Sequence, residues 1–335
     1  MILAADVGGT KTHLALYESG AAPRAPAIER RVPSRDYDSL GAMVRQFVDD
    51  TGRRPRFAAL GIAGPVVDNA SDTTNLPWDV SGRALAEALG GATVRLLNDL
   101  EAMAWGVASL DPGDLESLQA GRPAAGNRVL IAAGTGLGEA MLVWNGRDWR
   151  PSPSEGGHAD FAPRDEVEDE LLLWLRSRYA GHVSYERVLS GPGIADLYRF
   201  HADTGRGRAS AEVARAFADA EDPAAVVTQA ALAGSCERAA LALDRFVRIY
   251  GAEAGNLALK GLAVGGVFVG GGIAPRILAA LGRGSFIESF DDKGRLRPLL
   301  ERIPVHVILR PETALWGAAA FAFAHAAGPV IEEVS

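Results

Sequence analysis

Two short turns carry the residue types that hold phosphate. Asp6-Val7-Gly8-Gly9-Thr10-Lys11 sets a carboxylate, two glycines and a hydroxyl on one bend, and Gly134-Thr135-Gly136-Leu137-Gly138 repeats the glycines and the hydroxyl. Glycine lets successive backbone N–H groups close on an anion. Each turn alone is equally a hairpin turn needing positive φ; the recurrence points to phosphate. The chain holds no Gly-Lys-[Ser/Thr], so it has no Walker A loop, and Glu139 breaks the Rossmann spacing. Asn98-Asp99 follows an apolar strand and opens a helix, where Asp99 is either a helix cap or a general base at the carboxyl end of a strand. Glu155-Gly156-Gly157-His158 brackets two glycines with an acid and an imidazole, a loop chemistry suited to a polyhydroxylated ligand and unlike the helical zinc-protease motif. Glu186, in Tyr185-Glu186-Arg187-Val188-Leu189-Ser190-Gly191-Pro192-Gly193, reads by itself as a surface or ion-pair residue.

These groups need rigid elements beneath them. Apolar runs at 2–7 and 12–17 flank the first turn, and runs at 128–133 and 139–144 flank the second, so each reads as a hairpin and the two together hint at a duplicated core. Further strands are expected at 57–62, 94–97, 265–269 and 304–309. Helical spacing covers 38–50, 81–89, 100–110, 165–179, 193–204, 209–219, 223–262, 273–281 and 313–327, while 151–163 reads as a loop. Strands alternating with helices indicate an α/β fold with a second, mixed α+β region. The expected division is a small α/β domain, residues 1–109 completed by 303–335, and a large α+β domain, residues 110–302.

Composition bounds the function. The 335 residues carry a formal charge of −8, 48% hydrophobic and 23% charged side chains, which is a folded chain and not a disordered one. The negative balance argues against nucleic-acid binding. Only Lys11, Lys260 and Lys293 are lysine, the other basic residues being arginine. A single cysteine, Cys236, excludes an internal disulfide and a cysteine zinc cluster, and it reads as a buried thiol in a helical run. The N-terminal Met-Ile-Leu-Ala-Ala-Asp lacks a basic segment and reads as a first strand, not a signal peptide. No apolar run reaches the roughly 20 residues of a membrane span, so a cytoplasmic location without membrane contact is expected.

Taken together, the motifs resemble those of the bacterial glucokinases, in the branch without a zinc-binding cysteine motif, within the hexokinase/actin-like ATPase superfamily. The likeness runs nearly end to end, through Asp6-Val7-Gly8-Gly9-Thr10, Thr74-Asn75 with Trp78, Asn98-Asp99, the 134–138 turn, the long Glu155–Pro163 and Glu186–Gly193 blocks, and Gly265-Gly266-Val267-Phe268-Val269 with Gly271-Gly272-Ile273. The resemblance implies a two-lobed actin-like (ribonuclease H-like) fold with a duplicated core and a cleft between its domains. It implies that Ala5, Asp6, Val7, Gly8, Gly9 and Thr10, with Gly134, Thr135 and Gly136, hold the phosphates of ATP and its Mg²⁺, Asp6 reaching the metal through water. Gly271 and Gly272 border the adenosine. Asn75, Asn98, Asp99, Glu155, His158 and Glu186 bind glucose, and Asp99 is also the base that takes the proton of its 6-hydroxyl. A homodimer is implied as well. The chain departs from the family where Ala132-Ala133 precede Gly134 and where Lys11 stands in place of a common Asn.

Elementary chemistry agrees. Phosphoryl transfer asks for positioning and charge neutralisation, and a placed carboxylate gives a sugar hydroxyl roughly 10²- to 10⁴-fold as general base. Two other readings stay open at this level: another hexose kinase, acting on fructose, mannose or an N-acetyl sugar, and a non-enzymatic ATP-binding regulator.

Overall fold

The computed structural model describes residues 1–72 and 76–326. Contacts divide the chain into two units, Met1–Pro112 with Arg310–Ser335, and Gly113–Leu309.

The first unit is built on a five-stranded sheet. β1 (Ile2–Val7), β2 (Lys11–Tyr17) and β3 (Ile28–Pro33) run as an antiparallel meander. After α1 (Leu40–Thr51), β4 (Phe57–Ile62) adds parallel to β1. A small pair, β5 (Ala70–Asp72) and β6 (Asp79–Ser81), leads into α2 (Gly82–Ala88). β7 (Thr93–Asn98) then adds parallel to β4, and α3 (Asp99–Gly106) follows directly. The sheet order is β3-β2-β1-β4-β7. Side chains alternate across it. Leu3, Ala5 and Val7 face Leu40, Met43, Val44, Phe47 and Val48 of α1, whereas Ile2 and Ala4 face the opposite layer. The α1 stripe at i, i+3, i+4, i+7 and i+8 is what makes that segment a helix in this place, and Ser39 caps it by accepting the Ala42 N–H at 3.1 Å.

The second unit repeats the plan. β8 (Leu115–Gln119), β9 (Arg128–Ala133), β10 (Leu137–Trp144) and β11 (Trp149–Ser154) precede a helical stretch of α4 (Glu166–Tyr179), α5 (Gly191–Asp203), α6 (Ala211–Asp219), α7 (Pro223–Leu232) and the long α8 (Glu237–Gly261). β12 (Gly266–Gly270), the short α9 (Leu278–Leu281), α10 (Ser285–Asp291) and α11 (Arg297–Leu300), and β13 (Val305–Ile308) complete it. The sheet order is β11-β10-β9-β12-β13-β8. Its first five strands reproduce the antiparallel-antiparallel-parallel-parallel pattern of the first unit, and β8 closes the edge antiparallel to β13. The duplication suggested by two Gly turns is therefore a duplication of whole sheets. Val129, Ile131, Val267, Val269, Val305 and Val307 bury one face against Phe246, Tyr250, Leu257 and their neighbours on α8.

The chain then returns to the first unit as α12 (Thr313–Ala326), whose Leu315, Ala318, Ala319 and Ala322 cover Ile2, Ala4, Ala15, Tyr17, Phe57 and Ala59. Its contact with α3 is backbone-close: a Cβ on Gly317 would overlap the Ala102 carbonyl oxygen, and one on Gly106 would overlap that of Thr313. Small residues let the two helices approach this far, so α3 has no freedom to slide.

Several expectations are corrected. β13 does not complete the small domain, as an expected boundary at 302/303 requires; it is an interior strand of the second sheet, between β12 and β8. The 151–163 loop begins as strand β11, paired in full with β10. The helix expected at 223–262 is two helices, broken at Gly234 with φ +66°, and Cys236 is the N-cap residue of the second, 3% exposed.

Candidate active site

Parallel strands bring their carboxyl ends to one edge, where α/β folds gather chemistry. In the first unit that edge carries Asp6 near the end of β1 and Asn98-Asp99 at the end of β7. Asn98 is the N-cap of α3: its Oδ1 accepts the N–H groups of Leu100 at 2.8 Å and Glu101 at 3.4 Å, and its Nδ2 donates to the Gly64 carbonyl at 3.0 Å. Asp99 is thus the first residue inside the helix and not its cap, although its Oδ1 also accepts the Leu100 N–H at 2.9 Å. The positive end of the helix favours a carboxylate here. Asp6 and Asp99 repel each other. Burial, then the Asp99 charge, raises the Asp6 carboxyl to about 7, against a smaller opposing pull from Arg31. Two acids are therefore held where ionising both is costly, an arrangement typical of functional sites.

The turn after Asp6 is fixed from below. Gly8 N–H donates to the Lys11 carbonyl at 3.1 Å. The buried Ser34 hydroxyl donates to the Gly8 carbonyl at 2.6 Å, lies 3.0 Å from the Thr12 hydroxyl, and its N–H reaches the Thr10 carbonyl at 3.0 Å. Sequence reasoning missed Ser34, which lies outside the turn and is marked by no motif.

In the second unit the Glu155 and Glu186 blocks converge on one peptide. Glu186 Oε2 accepts the Leu137 N–H at 3.0 Å, and a Cβ on Gly157 would overlap the Leu137 carbonyl oxygen. Tyr185 N–H donates to the Ala159 carbonyl at 3.0 Å and Phe161 N–H to Val183 at 2.9 Å, which ties the two segments together. Glu155 and His158 stand outward on this platform, with Oε2 and Nε2 3.9 Å apart and both side chains more than half exposed. Glu155, His158 and Glu186 are thus brought together by the fold, as are Asp6, Asn98 and Asp99 by the other unit. Asn75 lies outside the described residues.

Beside that platform is a cavity of about 1010 Å³ within the second unit. Gly134 and Thr135, the Gly191-Pro192 start of α5, and Gly272 with Ile273 form part of its wall, completed by Thr228 and Gln229 of α7 and the side chains of Arg199, Asp222 and Arg276. Its size is at the top of the range for small-molecule sites. Gly136 and Gly271 shape the wall from behind: Gly136 packs on the Glu186 carboxylate, and Gly271, at φ +82°, lies against the Ala133 carbonyl with no room for a side chain. Buried Tyr250 fastens the same place, its hydroxyl 3.2 Å from Ala133 N, 3.3 Å from the Ile131 carbonyl and 3.4 Å from that of Gly270. The α5 and α7 residues were not foreseen; they lie on helices whose own sequences show only burial.

The donor set also suits a divalent cation arriving with phosphate. No cluster of three or more metal-ligating side chains exists among the described residues, and Mg²⁺ ordinarily takes one or two carboxylates plus phosphate oxygens and water. The desolvated Asp6 carboxyl beside Asp99 matches that need.

The chain is similar to known proteins over nearly its whole length. The glucokinase family model matches residues 3–325. A glucokinase of Trichormus variabilis is 42% identical over 334 residues, covering 95% of this chain and 98% of its own. The crystal structure of a glucokinase from an Antarctic psychrotroph superimposes with a TM-score of 0.82 at 32% identity, over 96% of this chain and 98% of that one. A ROK family glucokinase from Streptomyces griseus, solved with glucose and AMPPNP, shares the fold at a TM-score of 0.65 and 20% identity, over 96% and 98% of the two chains.

Proposed function

The chain belongs to the glucokinase family and phosphorylates glucose with ATP, and we propose that Asp99 is the base of that reaction. The observation that supports this reading is the pairing of Asp6 with Asp99 at the carboxyl edge of the first sheet, with Asn98 doing the capping. In this reading the Asp99 carboxylate, which also accepts the Leu100 N–H, meets the 6-hydroxyl of the sugar. It takes that proton as the oxygen attacks the terminal phosphorus of ATP, and ADP leaves.

The other roles follow from the chemistry of each group. Asn98, Asp99, Glu155, His158 and Glu186 are assigned to the remaining sugar hydroxyls; each such hydrogen bond to a charged group contributes about 1.5–3 kcal/mol. Asn75 is assigned to the sugar by family resemblance alone. The backbone of Ala5 to Thr10 and of Gly134 to Gly136 receives the phosphates, and the Gly271-Gly272 turn borders the adenosine in the cavity of the second unit. Mg²⁺, when bound, neutralises charge on the β- and γ-phosphates. Asp6, whose carboxyl is buried beside Asp99, is the residue assigned to it.

We also take the enzyme to be a cytoplasmic homodimer that feeds glycolysis. The family resemblance supports that. No helix among the described residues is long and apolar enough to cross a membrane.

The test is a coupled ADP-release assay on the purified protein with glucose, mannose, fructose, galactose and N-acetylglucosamine. Rapid ADP release with glucose and more than about 10²-fold slower release with galactose is expected, since a site built to bond hydroxyls rejects an inverted one. Equal use of glucose and galactose contradicts the assigned site, and ADP release indifferent to sugar contradicts the kinase reading.

A further inference from the structure

Glu139 is an acid that the reaction as described does not use. It lies on β10, opposite Ile131 of β9 and Ser154 of β11, and is 2% exposed. Among the described residues its Oε1 has no hydrogen-bond partner. Its Oε2 lies directly under Gly156, where an added Cβ would overlap it. The residue also reaches the loop through its backbone: the Ser154 hydroxyl donates to the Glu139 carbonyl at 3.0 Å and accepts the Gly156 N–H at 3.2 Å. The start of the loop that carries Glu155 and His158 therefore rests on this buried residue.

The charges around Glu139 give it no counterion. On α8 it faces Glu253, Lys260 and the Tyr250 hydroxyl; on the loop above stand Glu155 and His158. Lys260 is committed to Glu253 at 3.4 Å, and Asn256 Nδ2 donates to the other oxygen of Glu253 at 2.7 Å. Glu253, fully buried, already takes both of these partners, and a charge on Glu139 beside it would be buried unpaired, which is costly.

We propose that Glu139 is a positioning residue for the sugar-binding loop, seating Glu155 and His158 from beneath Gly156. The proposal rests on the assignment of that loop to glucose. Burial first and Glu253 second bring the Glu139 carboxyl up to about 7, with Lys260 opposing, so the acid passes from its neutral to its charged form around neutral pH. Ionisation puts an unpaired buried charge under Gly156, next to Glu253, and weakens the seat of the loop.

The experiment measures glucose KM, ATP KM and kcat from pH 6.5 to 8.5 for the wild type, Glu139→Gln, Glu139→Ala and Glu155→Gln. Gln is a permanently neutral isostere. Titration of His158 and Glu155 is common to the wild type and Glu139→Gln and cancels in their ratio. The wild-type glucose KM, divided by that of Glu139→Gln, should rise about tenfold across this range, with kcat moving less than KM and the ATP KM ratio flat. Glu139→Ala should raise glucose KM about tenfold at pH 6.5 through loss of the support. A KM ratio independent of pH, or a Glu139→Ala variant with wild-type glucose KM, overturns the role given to Glu139. A normal glucose KM in Glu155→Gln instead overturns the sugar assignment of the loop itself, and the two failures are told apart by which variant is silent.

Discussion

Glu186 accepts the backbone N–H of Leu137 at 3.0 Å, so an acid assigned to the sugar also braces the turn assigned to the nucleotide. Gly136 packs on the same carboxylate, and Gly134 N–H closes that turn on the Gly136 carbonyl at 2.8 Å. A third connection runs onward: the Ser190 hydroxyl donates to the Glu186 carbonyl at 2.7 Å and caps α5 through the Gly193 N–H at 3.2 Å. The proposed sugar and nucleotide positions thereby share one side chain.

Glu186→Gln should therefore raise KM for ATP as well as for glucose. The amide can turn its oxygen to Leu137 or to the sugar, and it loses the charge in either case. An increase of about tenfold in glucose KM and a smaller one in ATP KM is expected. Glu155→Gln, which braces nothing, should move glucose KM alone. Steady-state kinetics with each substrate varied separately distinguishes them, and an ATP KM left at its wild-type value in Glu186→Gln refutes the coupling.

Asn98 should prove to be a stability residue as much as a binding one. Asn98→Ala removes the cap of α3 and the bond to the Gly64 carbonyl. A loss of about 0.5–2 kcal/mol is expected for the cap, seen as a lowered midpoint in urea unfolding. Asn98→Asp keeps a capping oxygen but loses the Nδ2 donor and adds a charge near Asp99, so it should recover only part of that loss. An Asn98→Ala protein as stable as the wild type shows that the cap carries no weight.

Asp6 gives a pH dependence with a definite sign. Its carboxyl is raised to about 7, while in the unfolded chain it titrates near the ordinary value of about 3.9. Between those limits the folded state binds more protons than the unfolded one, so this group's contribution favours folding less as pH rises, and levels off above the folded value. Asp6→Asn removes the cost of an ionised buried acid. The ligand-free variant should gain in Tm over wild type, and gain more at pH 8 than at pH 5, while turnover falls by at least about 10²-fold for want of the charge assigned to the cation. Scanning calorimetry at the two pH values, paired with the kinase assay, checks both halves. A lower Tm at pH 8 contradicts the account of Asp6.

Much of this arrangement is legible in the sequence, and the remainder is hidden for identifiable reasons. The β1–β2 and β9–β10 hairpins announce themselves because an apolar run, a Gly turn and a second apolar run lie within some 15 residues of each other, and so does the Asn98-Asp99 junction of strand and helix. Strand β11 is hidden because Pro151 and Pro153 signal a loop; as an edge strand it tolerates them, opposite Leu142 and Ala140. The break between α7 and α8 is hidden because apolar spacing continues through Gly234. The place of β13 depends on pairing with β12 and β8, which no local pattern encodes. At the site, the acids in motifs are readable, but Ser34, Glu139 and Tyr250 act on partners 15 to 120 positions away and look like ordinary strand, loop or helix residues. Which of Asn98 and Asp99 caps the helix is also undecidable from composition, since both are good caps; the geometry makes Asn98 the cap and Asp99 the first helical residue.

That last division is the centre of the account, and one variant tests it most directly. Asp99→Asn keeps the shape of the side chain and its ability to accept the Leu100 N–H, but cannot take a proton. Isothermal titration of glucose into Asp99→Asn, set beside its kcat, should show glucose bound within about tenfold of the wild-type affinity and turnover reduced by at least about 10²-fold. Near-normal turnover would mean that Asp99 is not the base and that the acid pair at the edge of the first sheet serves the fold instead.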